Sequence, residues 1–393
     1  MSKPKVLIFA PREEPPETIN ALEGLGCELV FGDRAWQLPR TAHEDAVVEA
    51  TRGAVALMGT SMRHTPISRR IMQASQRLRI VAKYTVGVDD IDTDAATELG
   101  IMVCHAPSES NCFGVAETTI AFMLSLLKKV AERDADVRAG KWRTTDNFAY
   151  YVGSRASDGF PGQTIGLVGL GRIGTRVAQL LAPWRARIIA CDPYVPPSHF
   201  LTHGVTAVDY KTLLRESDIV SFHVVLTRET HHMFGEAELK LMKPNAIVLN
   251  TARGKVVDET ALARAIAEGR IRGAAIDAFE EEPLPMVSPL RKLGDRVLLS
   301  PHSASYTEGG ELRQGVAWAT RSVVTALKGS IPDNVYNREV IPALEGALRR
   351  RQRDLGLRPV GSRPFGSNRR WPSGAQIVGF PLQISALRYA YFA

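Results

Sequence analysis

Three residues in the second half of the sequence have side chains suited to proton transfer beside an organic acid: Arg253, Glu282 and His302. A guanidinium can hold a carboxylate through paired hydrogen bonds and polarise a neighbouring carbonyl. An imidazole can exchange a proton near neutral pH, and an adjacent carboxylate can orient the ring and favour its charged form. The set suits hydride transfer to a 2-keto acid, with His302 as proton donor or, in the oxidative direction, as base.

Each of the three follows an apolar segment typical of a buried β-strand. Six such segments occur after residue 160, in the order TIGLVG, ARIIACD, DIVSFHV, NAIVLNT, GAAIDAF and RVLLSPH. Helical patterns separate most of them, which predicts a parallel sheet with helices on both faces. Ligands bind beyond the carboxyl ends of such strands. The predicted ends are Gly169, Asp192, His223, residues 250–253, Asp277 and His302.

The stretch LVGLGRIGTRVA has the spacing G-x-G-x-x-G at Gly169, Gly171 and Gly174, between a predicted strand and a predicted helix. In this context the first glycine allows a tight turn, the second lets the backbone approach a pyrophosphate, and the third permits close helix–strand packing. The amides of Arg172 and Ile173 would point at the phosphates from the helix N-terminus. The motif predicts a dinucleotide site.

Asp192 follows the last of these glycines by eighteen residues, at the end of the next predicted strand. Its carboxylate can accept hydrogen bonds from both ribose hydroxyls and would repel a 2′-phosphate, so we expect NAD rather than NADP. No metal site is expected. Further cofactor contacts are expected from His223, Thr251, Ala252, Asp277 and Val115.

The first third of the chain contains five more strand-like segments, KVLIFA, CELVFG, GAVALMG, LRIVAKYT and IMVCHAP. A single long helix is predicted over residues 115–140, apolar in its first half and charged in its second. We therefore predict an α/β fold with a doubly wound parallel sheet.

The net charge of +7 is concentrated in residues 346–393, which hold nine Arg, no Lys and one acid and so carry +8, leaving −1 on residues 1–345. The body is therefore not expected to bind nucleic acid. The segment mixes Arg, Gly, Pro and Ser without periodicity, which predicts disorder. Translation of an altered reading frame and a basic binding arm are both consistent with this composition.

Four cysteines form no C-x-x-C pair, which argues against a zinc site or a disulfide framework and favours a reducing compartment. The N-terminal apolar run spans only Val6 to Ala10, too short for a signal-peptide core. No segment predicts a membrane span. A cytoplasmic location is the expectation.

Taken together, LVGLGRIG, LNTARGKVVDETAL, AAIDAFEEEP and SPH, with VGVDDID and GVAE upstream, resemble the NAD-dependent D-2-hydroxyacid dehydrogenase family, especially its phosphoglycerate dehydrogenase branch, over about residues 5–340. The resemblance implies Arg253, Glu282 and His302 as the catalytic set. It also implies that Asp277 lies near the nicotinamide carboxamide, and that the amides of Val86 and Gly87 bind the substrate carboxylate.

The resemblance further implies a split architecture. A flavodoxin-like α/β substrate domain, residues 1–111 with 304–340 returning to it, would carry an inserted dinucleotide-binding domain at 112–303. It also implies a homodimer, formed through the long helix after Gly114.

Tyr84 and Thr85 stand where relatives often carry Ala and Gly, so we expect them to narrow the substrate pocket or change its polarity.

An NAD-sensing protein without physiologically relevant turnover, like the corepressors that share this fold, is the alternative function. A formate dehydrogenase is disfavoured, because it would carry Gln at the position of Glu282.

Overall fold

The computed structural model describes residues 3–11, 14–37, 43–62, 64–143, 145, 148–306 and 312–346. All elements named below lie in one compact unit, Met1–Leu344. The predicted disordered tail lies outside the described residues, apart from its first position.

The first sheet has five parallel strands in the order β2-β1-β3-β4-β5. The strands are β1 (Lys5–Ala10), β2 (Glu28–Phe31), β3 (Ala54–Gly59), β4 (Ile80–Lys83) and β5 (Met102–Cys104). The accompanying helices are α1 (Pro16–Glu23), α2 (Glu44–Thr51), α3 (Arg69–Gln73), α4 (Thr93–Glu98) and α12 (Arg313–Leu327). All five predicted strands of this region are present.

Helices cover both faces of this sheet. Leu7 of β1 belongs to a core shared with α2, α3 and α4, whereas its neighbour Ile8 belongs to a core shared with α1 and α12. Successive residues of a strand point to opposite faces, and a strand buried on both faces is apolar throughout. All six residues of β3 are buried for this reason. α12 follows the second sheet in the chain yet packs on β3, β4 and α1.

The second sheet has seven parallel strands in the order β12-β11-β10-β9-β6-β7-β8. The strands are β6 (Thr164–Val168), β7 (Arg187–Cys191), β8 (Thr206–Ala207), β9 (Ile219–Phe222), β10 (Ile247–Asn250), β11 (Gly273–Ile276) and β12 (Val297–Leu299). The helices are α5 (Glu109–Lys128), α6 (Val130–Arg138), α7 (Arg172–Leu181), α8 (Pro197–Thr202), α9 (Tyr210–Glu216), α10 (Glu236–Leu239) and α11 (Glu259–Ala267). The doubly wound parallel α/β fold is confirmed.

The strand order reverses beside β6. From β6 the chain builds β7 and β8 on one side, then returns to build β9, β10, β11 and β12 on the other. Gly169, just after β6, and His223, just after β9, therefore border the crevice that this reversal opens. Such a crevice is where doubly wound sheets bind their ligands.

The long helix differs from the prediction. It begins earlier, at Glu109, where Ser108 caps it by accepting the Asn111 amide at 3.3 Å, and it breaks at Lys129, whose φ is 53°. The apolar stripe ends at this break, because α6 buries none of its residues. By length and composition α5 could cross a membrane, but 44% of its apolar window is buried, and it packs on α7, β10 and β11 as a core helix.

Candidate active site

His302 and Glu282 form a direct pair at the carboxyl edge of the second sheet. Glu282 lies in the loop after β11, and His302 follows β12. Nδ1 of His302 lies 2.8 Å from Oε1 of Glu282, which also accepts the Phe279 amide at 2.9 Å. Since a carboxylate only accepts hydrogen bonds, Nδ1 carries the proton and Nε2 is the atom left for exchange with a ligand.

Asp277 fixes the turn that carries His302. This carboxylate is buried, and its two oxygens accept the amides of Ser303 at 2.9 Å and Ala304 at 3.1 Å. His302 itself has a φ of 52°, a left-handed conformation that non-glycine residues adopt at a cost. The buried carboxylate therefore holds the backbone in the conformation that directs the imidazole towards Glu282.

Arg253 is placed by a turn after β10 that Asn250 organises. The buried Asn250 side chain accepts the Ala252 amide at 3.1 Å and donates to the Arg253 carbonyl at 2.9 Å. The guanidinium of Arg253 then reaches the first sheet. Its Nε lies 2.6 Å from Oδ2 of Asp89, and a Cβ at Gly87 would overlap its Nη2. The guanidinium therefore packs directly against the Gly87 backbone.

The loop with Val86 and Gly87 follows β4 and is contacted by His105. Nδ1 of His105, just after β5, lies 3.3 Å from the Val86 carbonyl. Since a carbonyl only accepts hydrogen bonds, Nδ1 is the donor, and burial lowers the pKa of this ring. The Thr85 hydroxyl donates to the Gly87 carbonyl at 3.1 Å. The structure thus brings the amides assigned to the substrate carboxylate next to Arg253.

The three glycines of the dinucleotide motif differ in conformation and in the space around them. Gly169 has a φ of 93°, so a turn occurs there that other residues would strain. A Cβ at Gly174 would overlap the Gly169 carbonyl oxygen, whereas a Cβ at Gly171 would meet nothing within 4 Å. The N-cap residue of α7 is Gly171 itself, which has no side chain to cap the helix amides. Open space at this helix N-terminus fits a pyrophosphate, so these residues suit a dinucleotide.

Asp192 is fixed next to this loop. Its Oδ2 accepts the Leu170 amide at 2.7 Å and its Oδ1 accepts the Tyr194 amide at 2.9 Å. A carboxylate can accept about four hydrogen bonds, so acceptor capacity remains for ribose hydroxyls. Arg172 and Ile173 are the first two residues of α7. The Arg172 guanidinium donates to the Ser108 carbonyl at 3.2 Å.

The other expected cofactor residues lie at strand ends or on α5. His223 makes a 2.9 Å contact from Nε2 to the Ser221 hydroxyl, and burial lowers its pKa to about 4, so it is neutral. Thr251 and Ala252 are buried at the end of β10, and the Thr251 hydroxyl pairs with Thr119 of α5 at 2.9 Å. Val115 is buried one helical turn before Thr119.

Tyr84 lies elsewhere than expected. It is buried in the core shared with α12, and its hydroxyl donates to Glu14 at 3.1 Å. Its amide still bonds the Gly59 carbonyl at 2.9 Å, so the alternation of β4 continues for one residue and directs the ring into that core. Only Thr85, which is half-buried, borders the substrate loop.

Sequence reasoning missed Asp89 and Asn250 as organisers of Arg253. Asn250 belongs to a stretch that was singled out, but a pattern of strand ends does not distinguish a residue that shapes a turn from one that binds a ligand. Asp89 had no signal beyond its place in the GVDD segment.

Comparison with known proteins agrees with this geometry. Residues 120–304 match the family model described as D-isomer specific 2-hydroxyacid dehydrogenase, NAD binding domain. The chain is 37% identical over 340 residues to a glyoxylate reductase of Thermococcus litoralis, covering 86% of this chain and 98% of that protein. It is also 37% identical over 342 residues to a D-3-phosphoglycerate dehydrogenase of Methanocaldococcus jannaschii, covering 86% of this chain and 60% of that protein.

A solved structure shares the whole architecture. D-Lactate dehydrogenase from Aquifex aeolicus, complexed with NAD and lactic acid, superposes with a TM-score of 0.70 at 26% identity, covering 86% of this chain and 98% of that one. The glycine turn, Asp192 and the His302–Glu282 pair lie at one edge of the sheet that this family model covers. The chain belongs to the D-2-hydroxyacid dehydrogenase family and is an NAD-dependent oxidoreductase that interconverts small 2-hydroxy acids and 2-keto acids.

Proposed function

We propose that Arg253, Glu282 and His302 are the catalytic set and that His302 acts through Nε2. The 2.8 Å contact between His302 Nδ1 and Glu282 carries this assignment, since it fixes the tautomer and leaves one nitrogen for proton exchange. When bound, NADH supplies the hydride. His302 then donates a proton to the carbonyl oxygen of the keto acid. Glu282 stabilises the charged imidazole before this transfer.

Arg253 and the loop after β4 hold the other end of the substrate. The amides of Val86 and Gly87 donate hydrogen bonds to one side of its carboxylate, and Nη2 of Arg253 lies beside Gly87 at the same place. A guanidinium there also polarises the carbonyl next to the carboxylate. Gly169, Gly171, Arg172, Ile173, Gly174 and Asp192 hold the dinucleotide, with His223, Thr251, Ala252, Asp277 and Val115 around it.

We propose glyoxylate as the preferred keto acid. The relatives that the chain matches over nearly their whole length include the glyoxylate reductase of Thermococcus litoralis, at 37% identity. Lys83, at the end of β4, is fully buried and bonded to Asp90 at 2.6 Å. It is therefore not available to a second anionic group on the substrate. A small keto acid with one carboxylate fits this better than a phosphorylated one.

The test is NADH oxidation followed by absorbance, with glyoxylate, hydroxypyruvate, 2-oxoglutarate and phosphohydroxypyruvate. We expect the highest kcat/KM with glyoxylate and a weak response to phosphohydroxypyruvate. A preference for the phosphorylated acid would overturn the substrate assignment. NADH binding without turnover of any of the four would favour the NAD-sensing alternative.

We also propose a homodimer formed through α5, α6 and the segment after them. Although α6 buries no residue, it displays Val130 and Val137, which are 54% and 58% exposed. Trp142 and Phe148 follow, at 70% and 74% exposed. Large apolar side chains exposed within one stretch of chain are typical of a subunit interface. Light scattering of the purified protein tests this, and Trp142→Glu should shift the mass towards the monomer.

We propose the domain boundaries predicted from the sequence, with residues 1–111 and 304–340 as the substrate domain and residues 112–303 as the dinucleotide domain. The first sheet ends at Cys104 and the second begins at Thr164, with α12 packed on the first, which supports this division. We propose a cytoplasmic location, because Cys27, Cys104, Cys112 and Cys191 are all free thiols.

A further inference from the structure

One ion pair joins the loops of the two sheets at the substrate site. Nε of Arg253, after β10, lies 2.6 Å from Oδ2 of Asp89, after β4, although the two residues are 164 positions apart. Asp89 sits two residues after Gly87, in the loop whose amides are assigned to the substrate carboxylate. The pair therefore connects the amide half of the carboxylate site to its guanidinium half.

The loop end of this pair is anchored in its own sheet. Nζ of Lys83 contacts both carboxylate oxygens of Asp90, at 2.8 and 2.6 Å, and the Thr60 carbonyl at 3.0 Å. Asp90 Oδ2 also accepts the Met62 amide at 2.8 Å. Lys83 and Asp90 are almost wholly buried, so the backbone at Asp90 is held against the loop after β3. Two consecutive acids thus have different partners: Asp90 faces the core and Asp89 faces Arg253.

The contacts of Arg253 leave one edge of its guanidinium for a ligand. Nε is used by Asp89, and Nη1 donates to the Ala252 carbonyl at 2.8 Å. Nη2 lies against Gly87, where a Cβ would overlap it. With Nε and Nη1 each engaged from a different side, rotation of the planar group is restricted, and its Nη2 edge is directed at the loop of Val86 and Gly87.

We propose that Asp89 is a positioning residue that orients Arg253 for the substrate carboxylate and keeps the two halves of that site in register. The proposal rests on the role assigned to Arg253 above. Asp89 is 47% and Arg253 28% exposed at the side chain, so solvent weakens the pair and its contribution to folding is small. The pair contributes more to the geometry of the bound acid, because small displacements of a binding group lower the reaction rate steeply.

The decisive variant is Asp89→Asn, which keeps the shape of the side chain and removes its charge. We expect kcat/KM for the keto acid to fall about tenfold, mainly through a higher KM, with NADH affinity unchanged. Oxamate, a non-reacting keto-acid analogue, should bind the NADH-loaded variant about tenfold more weakly. Asp89→Glu should recover part of both losses, because it restores the charge. Asp94→Asn, an exposed acid of α4 on the same segment, is the matched control and should change neither.

Two results would overturn the proposal. Wild-type kinetics in Asp89→Asn would show that Arg253 is oriented without Asp89. A lower KM and tighter oxamate binding would show that Asp89 competes with the substrate for the guanidinium. Arg253→Lys separates this from failure of the proposed function. If Arg253→Lys leaves turnover intact, the role of Arg253 itself is wrong. If it abolishes substrate binding and Asp89→Asn does nothing, only the role of Asp89 is wrong.

Discussion

His302 adopts a left-handed backbone conformation, with a φ of 52°, while its Nδ1 contacts Glu282 at 2.8 Å. The left-handed backbone of His302 and the Glu282 carboxylate together fix the direction of the imidazole ring. Strained backbone of this kind persists only where surrounding contacts impose it. Here the Asp277 carboxylate does so through the two amides that follow His302.

Replacing His302 with Asn should remove proton transfer and leave the fold intact. Asn is preferred to Ala because it tolerates the left-handed region. General acid–base catalysis is worth about 10²–10⁴-fold, so kcat should fall by that order while NADH binds as in the wild type. Steady-state kinetics and NADH fluorescence titration measure the two effects. Turnover near the wild-type value would remove His302 from the mechanism.

Asp277→Asn should damage both stability and turnover. Both oxygens of Asp277 accept backbone amides, and an Asn amide would place a donor against one of these donors. Leaving a buried group unsatisfied costs about 1–3 kcal/mol, and the turn with His302 would loosen. Urea denaturation and kcat are the readouts. Full stability combined with full activity would mean that the two hydrogen bonds do not hold this turn.

The fold was largely predictable because most of its strands are buried on both faces and are continuous apolar segments in the sequence. The strand β8 was missed, because it has only two residues, both exposed, and so leaves no pattern in the sequence. The break at Lys129 was also hidden, because helix propensity continues across it and only packing ends there.

The site was predictable where it depends on strand ends. The positions of Gly169, Asp192 and His302 follow from the apolar, strand-like segments that end at these residues. The ion pair between Asp89 and Arg253 joins separate sheets, and no local pattern encodes their relative position. The direction of the Tyr84 side chain was not predictable either. Its ring enters the core and not the pocket because the strand alternation of β4 continues for one more residue.

Stability should respond to pH through Glu259. Burial raises the pKa of Glu259 from 4.5 to about 7. The hydrogen bond that Glu259 accepts from the Glu280 amide opposes this shift, the Glu280 carboxylate adds to it, and His232 has the smallest, opposing effect. The folded protein therefore keeps a proton that the unfolded chain releases between these two values. Unfolding free energy should fall as pH rises through that window.

Glu259→Gln isolates this contribution. Gln keeps the acceptor for the Glu280 amide and stays neutral, so it should be more stable than wild type at pH 8 by about 1–2 kcal/mol after allowance for solvent exposure. Near pH 4.5 the two proteins should be equal. Urea denaturation at both pH values, compared as a difference between variants, removes the effect of other titrating groups. A stability difference independent of pH would contradict the expectation.

Two glycines of the dinucleotide motif provide a matched test of the cofactor cradle. A Cβ at Gly171 enters open space, and the φ of this residue, −72°, suits any amino acid, so Gly171→Val should fold normally. It should nevertheless weaken NADH binding severely, because its side chain fills the place of the pyrophosphate. A Cβ at Gly174 would instead overlap the Gly169 carbonyl oxygen. Gly174→Ala should therefore destabilise the protein by about 1–3 kcal/mol through overpacking.

The contrast between the two variants is what identifies the cradle. Thermal unfolding without cofactor should separate them, with Gly171→Val close to wild type and Gly174→Ala lower. Addition of NADH should raise the unfolding temperature of the wild type but not of Gly171→Val, because a ligand stabilises a fold only in proportion to its binding. If NADH stabilised the wild type and Gly171→Val equally, the pyrophosphate would lie elsewhere. The open space at Gly171 would then have no role in cofactor binding.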